Sequence, residues 1–243
     1  ESGCALLGGD TTRTPEIDGR HAPATISITA MGDLPAGMGL TRSGAQPGDD
    51  IWVSGTVGDA YAALMCRWGR WQVMPDAEPR LFARMDRPTP RIALGQALLG
   101  AATACADISD GLLADLDHIL TRSGVSAEIE WERIPLSPVL STLTVARQHE
   151  AALAGGDDYE LIFTAPPAAA ERIFEAGLLS NTPVSRIGRI LEREETGAQL
   201  GTTIMVENLF FNVPVRYKFL KQDATEFKYI KDWIQKAALS IPS

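Results

Sequence analysis

Three short runs join carboxylates to glycine or serine: GGDTT (Gly8 to Thr12), DISDG (Asp107 to Gly111) and GGDDYE (Gly155 to Glu160). Aspartate oxygens are the hard ligands that Mg²⁺ prefers, and glycine lets the backbone approach an anion, so such runs can bridge a metal to a phosphate. In DISDG, strand alternation puts Asp107 and Ser109 on one side, and Asp110 falls at the start of a following helix whose N-terminus attracts anions. Each run also has a plain structural reading: Asp110 as a helix N-cap, GGDTT as an Asx turn, GGDDYE as a loop entering a strand. Arg42, in TRSGAQPGDD, is the candidate phosphate-facing cation, because guanidinium grips phosphate with a fork of donors; alone it reads more readily as a solvated or structural arginine. His118 lies within an apolar helix pattern and reads as a core or edge histidine, while His21 and His149 fall in polar loops.

The elements that must position these runs are of mixed type. ATISITAMG alternates around Ile26, Ile28 and Ala30 like a half-buried strand, and DLPAGMG reads as a turn-rich link. Ile51 and Val53 mark a strand that passes through a glycine-rich turn into the apolar helix of DAYAALM. Arg91 to Ala102 favours a helix, CADIS a short strand, and GLLADLDHILTRSG a helix with Leu112, Leu116, Ile119 and Leu120 on one face, closed by Gly124. SAEIEWERI and DYELIFTA read as strands, Pro167 opens a helix, and VSRIGRIL reads as a last strand. The fold class is therefore α/β (α+β).

Bulk properties narrow the function classes. With 45% hydrophobic and 22% charged residues the chain can bury a sizeable core. A net charge of −9 speaks against a nucleic-acid footprint across the whole surface and leaves room for a local basic patch or, as fits the acidic runs, for cations held among carboxylates. No stretch approaches the ~18 consecutive apolar residues of a membrane helix, and the opening lacks the features of a signal peptide, so a cytoplasmic location is expected. Cys4, Cys66 and Cys105 are widely spaced, which points to neither a disulfide framework nor a zinc knuckle. Up to residue 200 every side-chain cation apart from histidine is an arginine, from Arg13 to Arg193; from residue 201 lysines outnumber the single Arg216. The first part thus holds no GxxxxGK loop and no kinase-type catalytic lysine, and any phosphoryl transfer there leans on metal ions, arginine and backbone amides. So sharp an exchange of cations is not selected by one fold, and it reads as the junction of two coding sequences.

Taken in order, GGDTT, TRSGAQPGDDIWVSGTVGDAYAAL, RPTPRIALGQAL, DISDGLLADLDHI, IPLSP and GGDDYELIFT resemble bacterial thiamine-monophosphate kinase. The resemblance implies an aminoimidazole ribonucleotide synthetase-like C-terminal domain over residues 37–200, a remnant of the N-terminal domain over 1–36, and a foreign strand–helix tail over 201–243. It implies ATP and Mg²⁺ as cofactors and transfer of a phosphoryl group to thiamine monophosphate, giving thiamine diphosphate. Position by position, Gly9, Asp10, Arg42 and Ser109 would contact ATP. Asp10, Asp107 and Asp110 would hold Mg²⁺ and carry catalysis, and Asp157 would stand beside the substrate where the family often has glutamate. A homodimer and no nucleic-acid partner are implied as well. The family's N-terminal half, with its GxGDDA segment and further metal-binding aspartates, is expected ahead of GGDTT, so these residues alone are expected to turn over weakly.

GTTIMVENLFFNVPVRYKFLKQDATEFKYIKDWIQ resembles part of the MutL-type mismatch-repair ATPase region. Its Ile204 and Val206 mark a strand, Asp223 with Glu226 a capping box, and Phe227, Ile230 and Ile234 one face of a helix. Two other function classes therefore stand beside the kinase: a mismatch-repair component, and a fusion with a fold but no activity.

Overall fold

The computed structural model describes residues 5–21 and 24–193. The chain divides into two units, and every described residue belongs to the first, Glu1–Glu194. The strand and helix expected within 201–243 lie outside the described residues.

A small hairpin, β1 (Glu16–Ile17) with β2 (Arg20–His21), turns through Asp18 and Gly19, whose φ angles of 53° and 73° suit a tight Asp-Gly turn. The alternating run that follows forms no strand, contrary to expectation: Ile26 and Ile28 are 84% and 88% exposed. Alternation yields a strand only where a neighbour accepts its hydrogen bonds and a core accepts one face, and among the described residues this run has neither.

The main sheet is built from β3 (Asp50–Ser54), β4 (Ala104–Asp107), β5 (Ser126–Ile129), β6 (Leu161–Ala165) and β7 (Val184–Leu191) in the order β4-β6-β3-β7-β5. All four pairings are antiparallel. The helices are α1 (Asp59–Arg67), α2 (Glu78–Asp86), α3 (Ile92–Ala97), α4 (Leu112–Ser123), α5 (Val145–Ala154) and α6 (Ala170–Leu179). They cover both faces of the sheet, as period-2 alternation in its central strands requires. Ile51 and Val53 of β3 and Ile162 of β6 pack with Leu112, Leu116 and Ile119 of α4. Trp52 and Phe163, pointing the other way, pack with Leu94, Leu98 and Ile173 under α3 and α6. α4 ends at Gly124, whose φ of 69° is the left-handed cap the sequence called for. Helices α2 and α5 escape the sequence reading: α2 is only nine residues long, with Leu81 its one fully buried side chain, and α5 buries mainly alanine.

One buried carboxylate ties these layers together. Glu160, fully buried, accepts from Arg84 Nη2 at 2.7 Å, from Arg91 Nε at 2.7 Å and Nη2 at 2.6 Å, and from Ser54 Oγ at 2.5 Å. It thereby joins α2, the start of α3 and the end of β3. Replacing Glu160 by Gln leaves the mostly buried Arg91 without a counter-charge and Arg84 with only Asp59, 4.0 Å from its Nε, and the expected loss of stability is about 3 kcal/mol or more. Urea unfolding of Glu160→Gln beside the parent measures it, and a loss within error of zero overturns this account of the hub.

Candidate active site

β4 runs into the turn Ile108–Gly111 and then into α4, while β6 is entered through the loop Gly155–Glu160. Backbone hydrogen bonds continue the β4–β6 ladder beyond its strand ends and join the two runs. Ile108 N donates to Glu160 O at 2.8 Å, Tyr159 N to Ile108 O at 2.8 Å and Asp157 N to Ser109 O at 2.9 Å. Gly156 permits this approach, because a β-carbon there would sit 2.3 Å from Ser109 O. Asp157 and Tyr159 have φ angles of 65° and 51°, a region that non-glycine residues seldom occupy and that structure holds at functional sites.

The union brings Asp107, Asp110 and Asp157 around one phenol. Tyr159 Oη donates to Asp157 Oδ1 at 3.2 Å. The negative charge of Asp157, then that hydrogen bond and partial burial, with smaller contributions from Asp107 and Asp110, raise the Tyr159 phenol above its ordinary range. Arg42 Nη2 lies 3.9 Å from Asp107 Oδ1, with both side chains half exposed. Its segment is held at the sheet edge by Cys105 N, which donates to Thr41 O at 2.8 Å, and by Ser123 Oγ, which accepts from Gly44 N and Ala45 N at 3.2 Å. Burial, with a further push from Asp107, raises the Cys105 thiol to about 12, so it stays protonated beside the carboxylates.

Two expectations about DISDG are corrected. Asp110 is not a helix cap: the N-cap of α4 is Gly111, and Asp110 is exposed ahead of it. Nor are the amides of this turn free for an anion, because Asp115 Oδ2 accepts from Ser109 N at 2.9 Å, Asp110 N at 2.9 Å and Gly111 N at 3.2 Å. A carboxylate one helical turn into α4 satisfies the donors that an N-cap side chain would otherwise take. Asp115 lies on the apolar face with Leu112, Leu116 and Ile119, and a charge at a core-facing position was the signal that could have revealed it. Ser109 sits in the same turn as expected.

Gly9 and Asp10 are not brought to the other runs by any hydrogen bond or ion pair among the described residues. Asp10 Oδ1 accepts from Thr11 N at 2.8 Å, and Gly9 has open space around it. Residues 5–13 bury no side chain that would anchor them. His149 is not in a loop: it belongs to α5 and stands edge-on to Trp131, with ring centroids 4.1 Å apart.

Beneath the loop lies Asp158, 2% exposed, whose carboxylate accepts from Gly58 N at 2.6 Å and from Ala60 N at 3.3 Å. Burial raises it to about 7, against the lowering effect of those two amides; Asp59 raises it further and Arg84 lowers it. Asp59 is itself buried and accepts from Thr56 Oγ1 at 2.7 Å and Ser137 Oγ at 2.5 Å. Asp107 and Asp110, both exposed, offer the oxygen ligands that suit Mg²⁺.

The profile of AIR synthase related protein, C-terminal domain, matches residues 46–201 and ends at the break in cation usage. Thiamine-monophosphate kinase of Caulobacter vibrioides is 38% identical over 199 residues, covering 80% of this chain and 54% of that protein. The crystal structure of thiamine-monophosphate kinase from Stenotrophomonas maltophilia is similar with a TM-score of 0.62 and 41% identity, covering 66% of this chain and 53% of that one. AaThiL complexed with AMPPCP and TMP is similar with a TM-score of 0.54 and 38% identity, over 64% of this chain and 48% of that one. The chain thus spans about half the length of the relatives it matches. Among the described residues no helix is long and apolar enough to cross a membrane.

The elevated Asp158 carboxyl sets a pH dependence. A folded value above the ordinary 3.8 means that the folded chain keeps a proton the unfolded chain has released. The destabilising contribution of this group therefore grows as pH rises from about 4 to about 7 and is constant above that. Asp158→Asn removes it, so the stability of the variant relative to the parent is expected to rise across that window. Thermal unfolding of both proteins at closely spaced pH values checks this, and a flat or falling difference contradicts it.

Proposed function

Since the chain belongs to the AIR synthase related protein family, represented here by its C-terminal domain, we propose that it carries the phosphoryl-transfer site of a thiamine-monophosphate kinase. The substrates in this reading are ATP and thiamine monophosphate, and the product is thiamine diphosphate. The observation that supports it most is the joining of DISDG to GGDDYE, which sets Asp107, Asp110 and Asp157 around Tyr159 with Arg42 alongside. AaThiL, 38% identical, was solved with AMPPCP and TMP, a nucleotide analogue and the phosphate ester expected here.

Each residue has a role in the proposal. Asp107 and Asp110 hold Mg²⁺, which neutralises phosphate charge when bound. Arg42 meets the nucleotide phosphates with its guanidinium fork, and Ser109 contacts ATP from the turn fixed by Asp115. Asp157, held in a left-handed backbone conformation, is aimed at the substrate; its carboxylate reaches one methylene less far than the glutamate common in the family. Gly9 and Asp10 would join the nucleotide only if their segment packs onto this edge. Phosphoryl transfer needs positioning and charge neutralisation more than covalent help, so the absence of lysine up to residue 200 is no obstacle.

Residues 1–36, 37–200 and 201–243 are proposed as an N-terminal remnant, the catalytic C-terminal domain and a separate tail. The end of the family match at residue 201 supports the last boundary. A cytoplasmic location and pairing with a second copy belong to the same proposal.

Two measurements test it. Binding of a non-hydrolysable ATP analogue is expected to require Mg²⁺, to vanish in EDTA and to lose its metal-dependent part in the Asp107→Asn, Asp110→Asn double variant; equal affinity with and without metal overturns the assignment. Conversion of thiamine monophosphate to the diphosphate is expected when the chain is joined to the N-terminal half of a relative, and to fall on the order of a hundredfold in the same double variant. Turnover unchanged by the substitutions removes these aspartates from the mechanism.

A further inference from the structure

Asp115 has one carboxylate oxygen fully engaged and one unused. Oδ2 accepts three backbone amides, while Oδ1 is sealed from solvent without a hydrogen-bond partner, in a residue only 1% exposed. Leaving a buried polar group unsatisfied costs about 1–3 kcal/mol, more when it is charged, and a bound ion is one of the few things that removes the cost. A carboxylate anchored through one oxygen with the other left over has the form of a monodentate metal ligand whose orientation is fixed by hydrogen bonds.

Two neighbours complete a ligand set. Asp110, Asp115 and His118 each offer one ligand atom, and the three atoms lie within 4.8 Å of one another. Asp115 and His118 are three residues apart on α4 and so share a face, and Asp110 comes from the turn whose amides Asp115 holds. His118 decides the class of ion. Mg²⁺ takes oxygen ligands, whereas an imidazole nitrogen with two carboxylates suits Zn²⁺ or Co²⁺.

We propose that Asp110, Asp115 and His118 form a transition-metal site that shares Asp110 with the turn assigned to the magnesium nucleotide. The site stands on its own ligands and does not depend on the phosphoryl-transfer reading.

The test is a titration of Co²⁺ into the metal-free chain, followed by visible absorption, with Zn²⁺ added as competitor. His118→Ala is expected to weaken Co²⁺ binding by about tenfold or more while leaving Mg²⁺-dependent binding of an ATP analogue intact. His118 is exposed, so the variant keeps its fold, which circular dichroism verifies. Asp110→Asn is expected to weaken both. As a second readout, diamagnetic Zn²⁺ should shift the imidazole proton resonances of His118 in the parent, while Mg²⁺ at the same concentration leaves them in place. Co²⁺ affinity unchanged in His118→Ala, or His118 resonances indifferent to Zn²⁺, overturns the proposal whatever the chain does with nucleotide.

Discussion

The rest of this structure depends on a single carboxylate placed where water cannot reach it. Glu160 brings two arginines from different helices and a serine from the central strand onto one pair of oxygens. Its backbone carbonyl meanwhile accepts from Ile108 and so begins the bridge between the two acidic runs. A buried ion group of this kind adds little net stability over a well-packed apolar one, but it tolerates few alternative arrangements, since every donor must end near the same acceptor. Gly55 fits the same constraint: a β-carbon there would lie 2.3 Å from the Glu160 carboxylate.

Charge is divided unevenly around that hub. Asp59, Asp158 and Glu160 face Arg84 and Arg91, so the interior holds more acidic groups than basic ones, and burial first, with Asp59 adding to it, raises the Asp158 carboxyl to about 7. The exposed edge above it repeats the imbalance, with Asp107, Asp110 and Asp157 against Arg42. Uncompensated carboxylates at an edge are an electrostatic cost in the free protein and an attraction for cations once they arrive. The buried cluster and the acidic edge are two ends of one loop: Glu160 and Asp158 are buried, Asp157 and Tyr159 exposed.

Much of this was legible in the sequence. Alternation located β3, β6 and β7, the apolar stripe located α4, and Gly124 its end, because in each case burial on one side decides the outcome locally. Two of the acidic runs singled out for their carboxylates beside glycines, DISDG and GGDDYE, do meet through backbone hydrogen bonds, whereas GGDTT does not join them among the described residues. What could not be read was set by partners distant in the chain. Ile26 and Ile28 alternate like a strand yet find no neighbour. Asp158 looks like an ordinary surface residue until the amides it serves are in place, and the left-handed backbone of Asp157 goes with the hydrogen bond from its amide to Ser109 O rather than with its own preference.

The strand order has a consequence for how the protein comes into being. In β4-β6-β3-β7-β5 no two strands consecutive in the chain lie side by side. The central strand β3 therefore leaves the ribosome long before either β6 or β7 exists to pair with it, and Ile51, Trp52 and Val53 wait uncovered through the synthesis of more than half of the described chain. Loop closure over such separations makes folding slow and leaves apolar strand edges open to other chains in the meantime. The acidic edge, which needs β4 and β6 together, is complete only when that wait ends, so whatever the edge binds arrives too late to scaffold the pairing of β3.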